Sequence, residues 1–262
     1  MPEQLYHRYV AIGDSQTEGV GDGDDTSGHR GFADRLAARL AELNPELRYA
    51  NLAVRGKLAG EVHAEQLAPA LELKPDLATV VAGLNDVLRP RCDLDAVAGH
   101  LEAMFASLTK AGATVGTVTF PNVAKIAPLA RPLLPRVLAL NARIRAAAAR
   151  HGVRVVETFE IDVTTDARIW SEDRLHASPM GHQRIADSLA HALTLPGADD
   201  SWTHPLPALP QPPRLTVIRT ELRWLTGFLG PWLGRRLRGI SSGTSRTAKR
   251  PELTRFLMDT PT

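Results

Sequence analysis

Short apolar runs alternate with longer stretches of helical period from the start of the chain. Tyr9 to Ile12 is apolar and stopped by Gly13, which predicts a first strand. After a Gly- and Asp-rich loop (Val20 to Gly31), Phe32, Leu36, Leu40 and Leu43 recur at helical spacing and predict a helix over 32–43. Tyr49 to Val54 predicts a second strand. Residues 60–73 read as largely helical up to Lys74-Pro75, since proline cannot continue a helix. Leu77 to Ala82 predicts a third, wholly apolar strand. A helix over 94–111 is stopped by Gly112, and the β-branched run Thr114 to Phe120 predicts a fourth strand. An Ala-rich helix over 133–150 is capped by Gly152, Val153 to Val156 gives a fifth strand, and a final helix runs from Pro179 to about Leu193.

Five strands alternating with helices imply a parallel sheet covered on both faces. The unbroken apolar run Ala78 to Ala82 fits a strand buried on both sides. In open sheets of this kind ligands bind beyond the carboxyl ends of the strands, so the chemistry is expected just after each apolar run.

Beyond residue 195 the pattern changes, which divides the chain into a main domain over 1–195 and an appendage over 196–262. Pro205, Pro207, Pro210, Pro212 and Pro213 predict an extended, fairly stiff linker. Leu215, Ile218, Leu222, Leu225 and Leu229 then form the stripe of an amphipathic helix, with Trp224 and Phe228 flanking it and Arg214, Arg219 and Arg223 elsewhere on its surface. Pro231 and Gly234 are expected to end that helix, and a basic segment follows (Arg235, Arg236, Arg238, Arg246, Lys249, Arg250). Such a stripe is most often buried in protein, which favours docking on its own domain or on a second copy. Peripheral contact with an anionic membrane, strengthened by the basic segment, is the alternative.

Composition narrows the class. The chain has 262 residues, 44% hydrophobic and 23% charged, the profile of a globular protein with one well-cored domain. Net charge is only +2, so no global field marks a nucleic-acid or membrane binder. That charge is uneven: residues 212–262 hold ten Lys/Arg against three Asp/Glu, a balance of +7 that leaves −5 for the rest. A single cysteine, Cys92, rules out an intramolecular disulfide. The N-terminus shows no basic segment followed by a long apolar run, and no stretch of apolar residues is long enough to span a bilayer. A cytoplasmic location is therefore expected, with a form whose signal has already been removed as the alternative.

Four polar motifs sit where the chemistry is expected. Gly13-Asp14-Ser15-Gln16-Thr17-Glu18-Gly19 follows strand one, Asn51 to Gly56 strand two, and Gly83-Leu84-Asn85-Asp86 strand three; Asp173-Arg174-Leu175-His176 precedes the last helix. Singly, each has a plain explanation in turn or cap chemistry. Together they supply what acyl transfer needs: a hydroxyl nucleophile, a base, a group that orients the base, and donors for a developing oxyanion. Ser15 offers the hydroxyl. His176 is the residue type whose ordinary pKa, about 6.5, suits proton transfer at neutral pH. Asp173, three residues earlier, is spaced to reach it and fix its tautomer. Donors are available in the backbone N–H of Ser15, the N–H of Gly56 and the side-chain amide of Asn85. Asp14 and Asp86 read as supports, bracing the turn around Ser15 and the loop of Asn85.

These blocks resemble the SGNH/GDSL hydrolases. The first family block is matched by Gly13-Asp14-Ser15 with Thr17-Glu18-Gly19, the second by Gly56, the third by Gly83 to Asp86 and the last by Asp173 to His176, in the family's order across roughly residues 5–195. The resemblance implies a flavodoxin-like three-layer α/β/α domain, with a Ser15–His176–Asp173 triad and an oxyanion hole from Ser15, Gly56 and Asn85. It also implies an acyl ester substrate, with carboxylester hydrolysis, acyl transfer and carbohydrate O-deacetylation sharing the same groups. A non-catalytic binding module on this scaffold is the contrasting reading.

Other features carry less. Gly19 to Gly23 lacks the spacing of a dinucleotide fingerprint and the lysine of a P-loop. His29, His63, His151 and His182 show no metal-ligand spacing and read as solvated or core histidines, and Cys92 has no evident base partner. Neither metal nor cofactor is expected.

Overall fold

Tyr9 to Gly13 are buried without a break, so the strand β1 (Arg8–Gly13) requires cover on both faces. Its side chains alternate accordingly: Val10 and Ile12 join one apolar cluster, Tyr9 and Ala11 the other. The computed structural model describes residues 5–210, 213–231, 234, 243 and 245–257. After β1 come a short hairpin of β2 (Gly23–Asp24) and β3 (Gly28–His29), then β4 (Arg48–Asn51), β5 (Leu77–Val81), β6 (Thr114–Val118) and β7 (Arg154–Val156). The central sheet runs β7-β6-β5-β1-β4 with every pair parallel, the five strands that the apolar runs predict.

Helices cover both faces. On the Val10/Ile12 side lie α3 (Ala59–Glu72), α5 (Leu94–Lys110) and α7 (Leu134–His151); α2 (Phe32–Leu43) and α8 (Pro179–Ala192) lie on the other. Phe32, Leu36 and Leu40 bury the apolar face of α2, and truncating any one to alanine would cost about 2–5 kcal/mol. Asp93 accepts from the N–H groups of Asp95 and Ala96 at the start of α5, and Gly152 ends α7 in the left-handed conformation (φ 66°). Short helical turns α1 (Ser15–Glu18), α4 (Leu84–Val87) and α6 (Val123–Ile126) follow β1, β5 and β6. The result is a three-layer α/β/α sandwich.

The sheet has a sixth member. After α9 (Arg214–Trp224) the chain returns as β8 (Arg250–Arg255), antiparallel to β4 at the sheet edge. Its polar sequence carries no strand signal, and Pro251 suits only an edge. The basic residues around it are tied down: Arg246 pairs with Asp25 at 2.6 Å and Lys249 with Asp34 at 2.6 Å.

The tail helix also departs from expectation. Leu215, Ile218 and Leu222 are more than half exposed, so that part of the predicted stripe is uncovered, whereas the flanking Trp224 is buried. A π-helical turn over Leu225–Leu229 follows α9 and rotates the faces. Pro231 and Gly234 are still helical instead of ending the helix, and Arg235, Arg236 and Arg238 lie outside the described residues. Among the described residues no helix is long and apolar enough to cross a membrane.

Candidate active site

The site is assembled at the carboxyl ends of β1, β4 and β5. Gly13, the last residue of β1, is gripped by Gln66 of α3: its N–H donates to Gln66 Oε1 (2.8 Å) and its carbonyl accepts from Gln66 Nε2 (2.9 Å). No side chain fits here, because a Cβ on Gly13 would lie 2.3 Å from the Val81 carbonyl oxygen. The chain then turns into α1, where the Asp14 carboxylate caps the Gln16 N–H (3.2 Å). Ser15, 8% exposed, opens that turn.

His176 Nε2 lies 2.9 Å from Ser15 Oγ, and His176 Nδ1 lies 2.6 Å from Asp173 Oδ2. The other Asp173 oxygen accepts from Ser171 Oγ (2.6 Å) and from the N–H groups of Leu175 (2.9 Å) and His176 (3.0 Å). Burial by itself would raise the Asp173 carboxyl. The hydrogen bond and positive charge of His176, with the Ser171 hydroxyl and the backbone donor, outweigh it and hold the group well below the usual carboxylate range. The three side chains that the sequence singled out therefore stand hydrogen-bonded in series, with Asp173 ionised.

The proposed oxyanion donors line the same cavity as Ser15 and His176. Gly56, just beyond β4, takes a positive φ of 78° that favours glycine. Asn85, in α4, donates from Nδ2 to Asp14 Oδ2 (3.2 Å) and to the Lys57 carbonyl (3.1 Å). Burial pushes the Asp14 carboxyl up to about 7, against the pull of the Gln16 N–H, the nearby His176 and the Asn85 amide. Asp86 accepts from the Ala59 N–H (3.0 Å) and so ties the Asn85 turn to the start of α3; burial raises its carboxyl as well.

Four further residues, to which the sequence assigned no role, shape the site. Besides Gln66 these are Gln16, Glu18 and Trp224. Gln16 donates to the Leu175 carbonyl (3.0 Å) and accepts from the Ala177 N–H (3.2 Å), so its amide grips the chain on either side of His176. Glu18, buried, takes the Arg55 guanidinium and also the Arg55 N–H (2.6 Å), fixing the peptide just before Gly56. Trp224 donates from Nε1 to the Asp173 carbonyl (3.0 Å). Each contact except that of Glu18 spans more than fifty positions along the chain, beyond the reach of any local spacing rule.

Above Ser15 opens a cavity of about 890 Å³, walled by Phe120, Ile126, Leu133, Trp170, Trp224 and Phe228 among others. The proline-containing segment after β6 contributes Pro121, Leu129 and Pro132 to the lining. The remaining histidines and the cysteine stay apart from this chemistry. His182 is a core residue: it accepts from the Phe32 N–H, donates to the Val20 carbonyl, and burial lowers it to about 4, so it is neutral. Burial also raises the Cys92 thiol. Among the described residues no group of three or more His, Cys, Asp or Glu side chains is placed to hold a metal ion.

Solved structures with this fold include an alpha/beta hydrolase enzyme from the metagenome of Lake Arreo, Spain (23% identity, 72% of this chain and 95% of that one, TM-score 0.59). A lipase/acylhydrolase from Enterococcus faecalis is also similar (20% identity, 71% and 95%, TM-score 0.59). So is an acetylxylan esterase from Geobacillus stearothermophilus (18% identity, 74% and 97%, TM-score 0.61). No curated protein matches the chain. Residues 11–184 match the GDSL-like lipase/acylhydrolase family, a span that takes in Ser15, Gly56, Asn85 and His176 alike, and the chain belongs to that family of ester hydrolases.

Proposed function

We propose that the chain hydrolyses carboxylic esters through an acyl-Ser15 intermediate, with His176 as general base. The observation that carries this reading is the 2.9 Å contact between Ser15 Oγ and His176 Nε2 at the floor of a largely apolar cavity. In the first half-reaction Ser15 Oγ attacks the ester carbonyl while its proton passes to His176 Nε2. Asp173 holds the imidazole in the tautomer that accepts at Nε2 and stabilises the imidazolium. The oxyanion is stabilised by the N–H groups of Ser15 and Gly56 and by the Asn85 amide, whose longer bond to Asp14 is the one it replaces. The imidazolium protonates the departing alcohol. Water then attacks the acyl group with His176 again as base.

The cavity volume lies near the upper end for small-molecule sites, which supports acyl groups longer than acetyl, up to medium chain. Acyl transfer to an acceptor other than water, or removal of O-acetyl groups from a carbohydrate as the acetylxylan esterase's name describes for that protein, would use the same groups. Hydrolysis of p-nitrophenyl esters from acetate to decanoate by wild type and Ser15→Ala tests the reading. Loss of about 10⁴-fold or more in kcat on removing the hydroxyl is expected. Equal activity in both proteins refutes it, and inertness of wild type to an organophosphate label would favour a binding module.

A second reading concerns the outward face of α9. We infer that it seats peripherally on an anionic lipid surface, because Leu215, Ile218 and Leu222 are uncovered and Arg219 and Arg223 lie on the same helix. Co-sedimentation with phosphatidylglycerol vesicles at low salt is the expected result. A mass that rises with concentration, without vesicle binding, would instead assign the face to self-association.

A further inference from the structure

The family match stops at residue 184, yet the cavity above Ser15 is closed by residues well beyond it. Trp224, Gly227, Phe228 and Leu229, from the end of α9 and the turn that follows, stand in its wall. The same helix reaches the loop that carries Asp173 and His176. Trp224 Nε1 donates to the Asp173 carbonyl at 3.0 Å, and the Arg174 guanidinium lies over the indole, 4.7 Å from its ring centroid. Arg174 completes the clasp by donating from both terminal nitrogens to the Glu221 carboxylate, at 2.9 and 2.6 Å. Its backbone is left-handed (φ 58°), a conformation that costs an arginine free energy and needs its surroundings to hold it.

We propose that this C-terminal helix is a working part of the site. Trp224 and Phe228 form the acyl-cavity wall that sets chain-length preference, and the Trp224–Arg174–Glu221 clasp positions the Asp173–His176 loop. The proposal rests on the reading of Ser15 and His176 as the reacting pair. Glu221 and Arg174 touch no substrate and act through the loop, so they are positioning residues. Trp224 serves both roles, which is why turnover and acyl selectivity are linked through one side chain.

The test is steady-state kinetics of the full-length chain on p-nitrophenyl esters from acetate to dodecanoate. The variants are Ser15→Ala, Glu221→Gln, Trp224→Phe, Trp224→Ala and Phe228→Ala, with Thr220→Ala on the exposed side of the helix as control. Melting temperatures establish that each is folded. Losing one clasp hydrogen bond in Glu221→Gln or Trp224→Phe is expected to lower kcat on the acetate about three- to tenfold with KM unchanged. Opening the wall in Trp224→Ala or Phe228→Ala moves the chain-length optimum upward, while Thr220→Ala matches wild type. An unchanged length profile in both alanine variants, with acetate kcat in Glu221→Gln and Trp224→Phe within about twofold of wild type, overturns the proposal while Ser15 dependence persists. Should Trp224→Ala fail to fold, Phe228→Ala and the two conservative variants decide on the same terms. Equal activity of wild type and Ser15→Ala would overturn the reading of the reacting pair and the proposal with it.

Discussion

Glu18→Gln separates the architecture of the proposed oxyanion hole from its chemistry. Glu18 is 6% exposed and accepts from Arg55 Nε at 2.9 Å, Nη2 at 2.5 Å and the backbone N–H at 2.6 Å. The amide keeps one acceptor but turns a donor toward the donors of Arg55 and removes the charge. Breaking a buried ion pair from one side costs about 3–5 kcal/mol. Arg55 retains Asp25 at 2.9 Å, a half-exposed partner, so the lower end of that range, about 3 kcal/mol, is the better estimate. The catalytic cost follows from position. The peptide that Glu18 fixes leads straight into Gly56, whose N–H is a proposed oxyanion donor. Removing such a donor outright lowers kcat about 10²–10³-fold, so displacing it should cost about 10- to 100-fold. KM should change little, because the donor matters most when negative charge develops. Urea unfolding gives the first quantity and p-nitrophenyl acetate kinetics the second. A folded Glu18→Gln with kcat within about twofold of wild type would remove Gly56 from the oxyanion hole, whatever the stability loss.

Three other perturbations test separate parts of the site. Asp173→Asn should keep the fold but present a donor to His176 Nδ1, selecting the tautomer that cannot accept at Nε2, and lower kcat about 10⁴-fold; a loss under tenfold would deny Asp173 its orienting role. The Asp14 carboxyl, raised to about 7 by burial, binds a proton in the folded state that the unfolded chain has already released, so its contribution to stability is full below about pH 4 and is lost as pH rises towards 7. Asp14→Asn should remove that slope, making the variant relatively more stable at pH 8 than at pH 4 in urea titrations, and an identical difference at both pH values would refute it. Gly13→Ala drives a methyl against the Val81 carbonyl and should cost about 2–4 kcal/mol in thermal or urea unfolding, whereas a wild-type melting temperature would mean that the β1 end relaxes freely.

Much of this was legible from residue spacing, and the exceptions have physical causes. The apolar runs place all five parallel strands and the period places the helices that flank them, since both signals are local and repeat. Ser15, Gly56 and Asn85 could be proposed from the sequence because a parallel sheet puts its chemistry just past its strands, and each follows one. Gln16 escaped notice because its two bonds reach 159 and 161 positions along the chain. Gln66 grips Gly13 across 53 positions and reads in sequence as one more polar residue of a helix. The tail shows a different limit. Amphipathic spacing identifies an apolar face without saying what covers it, and here Leu215, Ile218 and Leu222 stay uncovered while Trp224 turns inward. β8 was invisible for the same reason: an edge strand held by backbone pairing and by Arg246 and Lys249 needs no apolar alternation.

The four blocks are not equally supported, and this bears on why the tail matters. Ser15, Gly56 and Asn85 stand on strand ends fixed by the sheet and by Gln66, Glu18 and Asp86. Asp173 and His176 stand on an irregular stretch between β7 and α8, held by short 3-10 turns and a single bridge between Trp170 and Ala177. A base must stay within hydrogen-bond reach of its nucleophile, and displacement by an ångström is enough to cost about 10²-fold in rate. Such a loop needs anchors from outside itself, and two of them differ in kind. Gln16 comes from the nucleophile turn and ties His176 to Ser15 directly, independent of substrate. Trp224 comes from the cavity wall, so the side chain proposed to meet the acyl group also donates to the Asp173 carbonyl. On the proposed roles, a substrate that packs against Trp224 would steady the loop whose His176 takes the Ser15 proton, and acetate is expected to gain least from that wall. On the proposed roles of Trp224 and Phe228, selectivity is expected in kcat as well as in KM, and part of it would lie in a segment of the chain that the family match does not include.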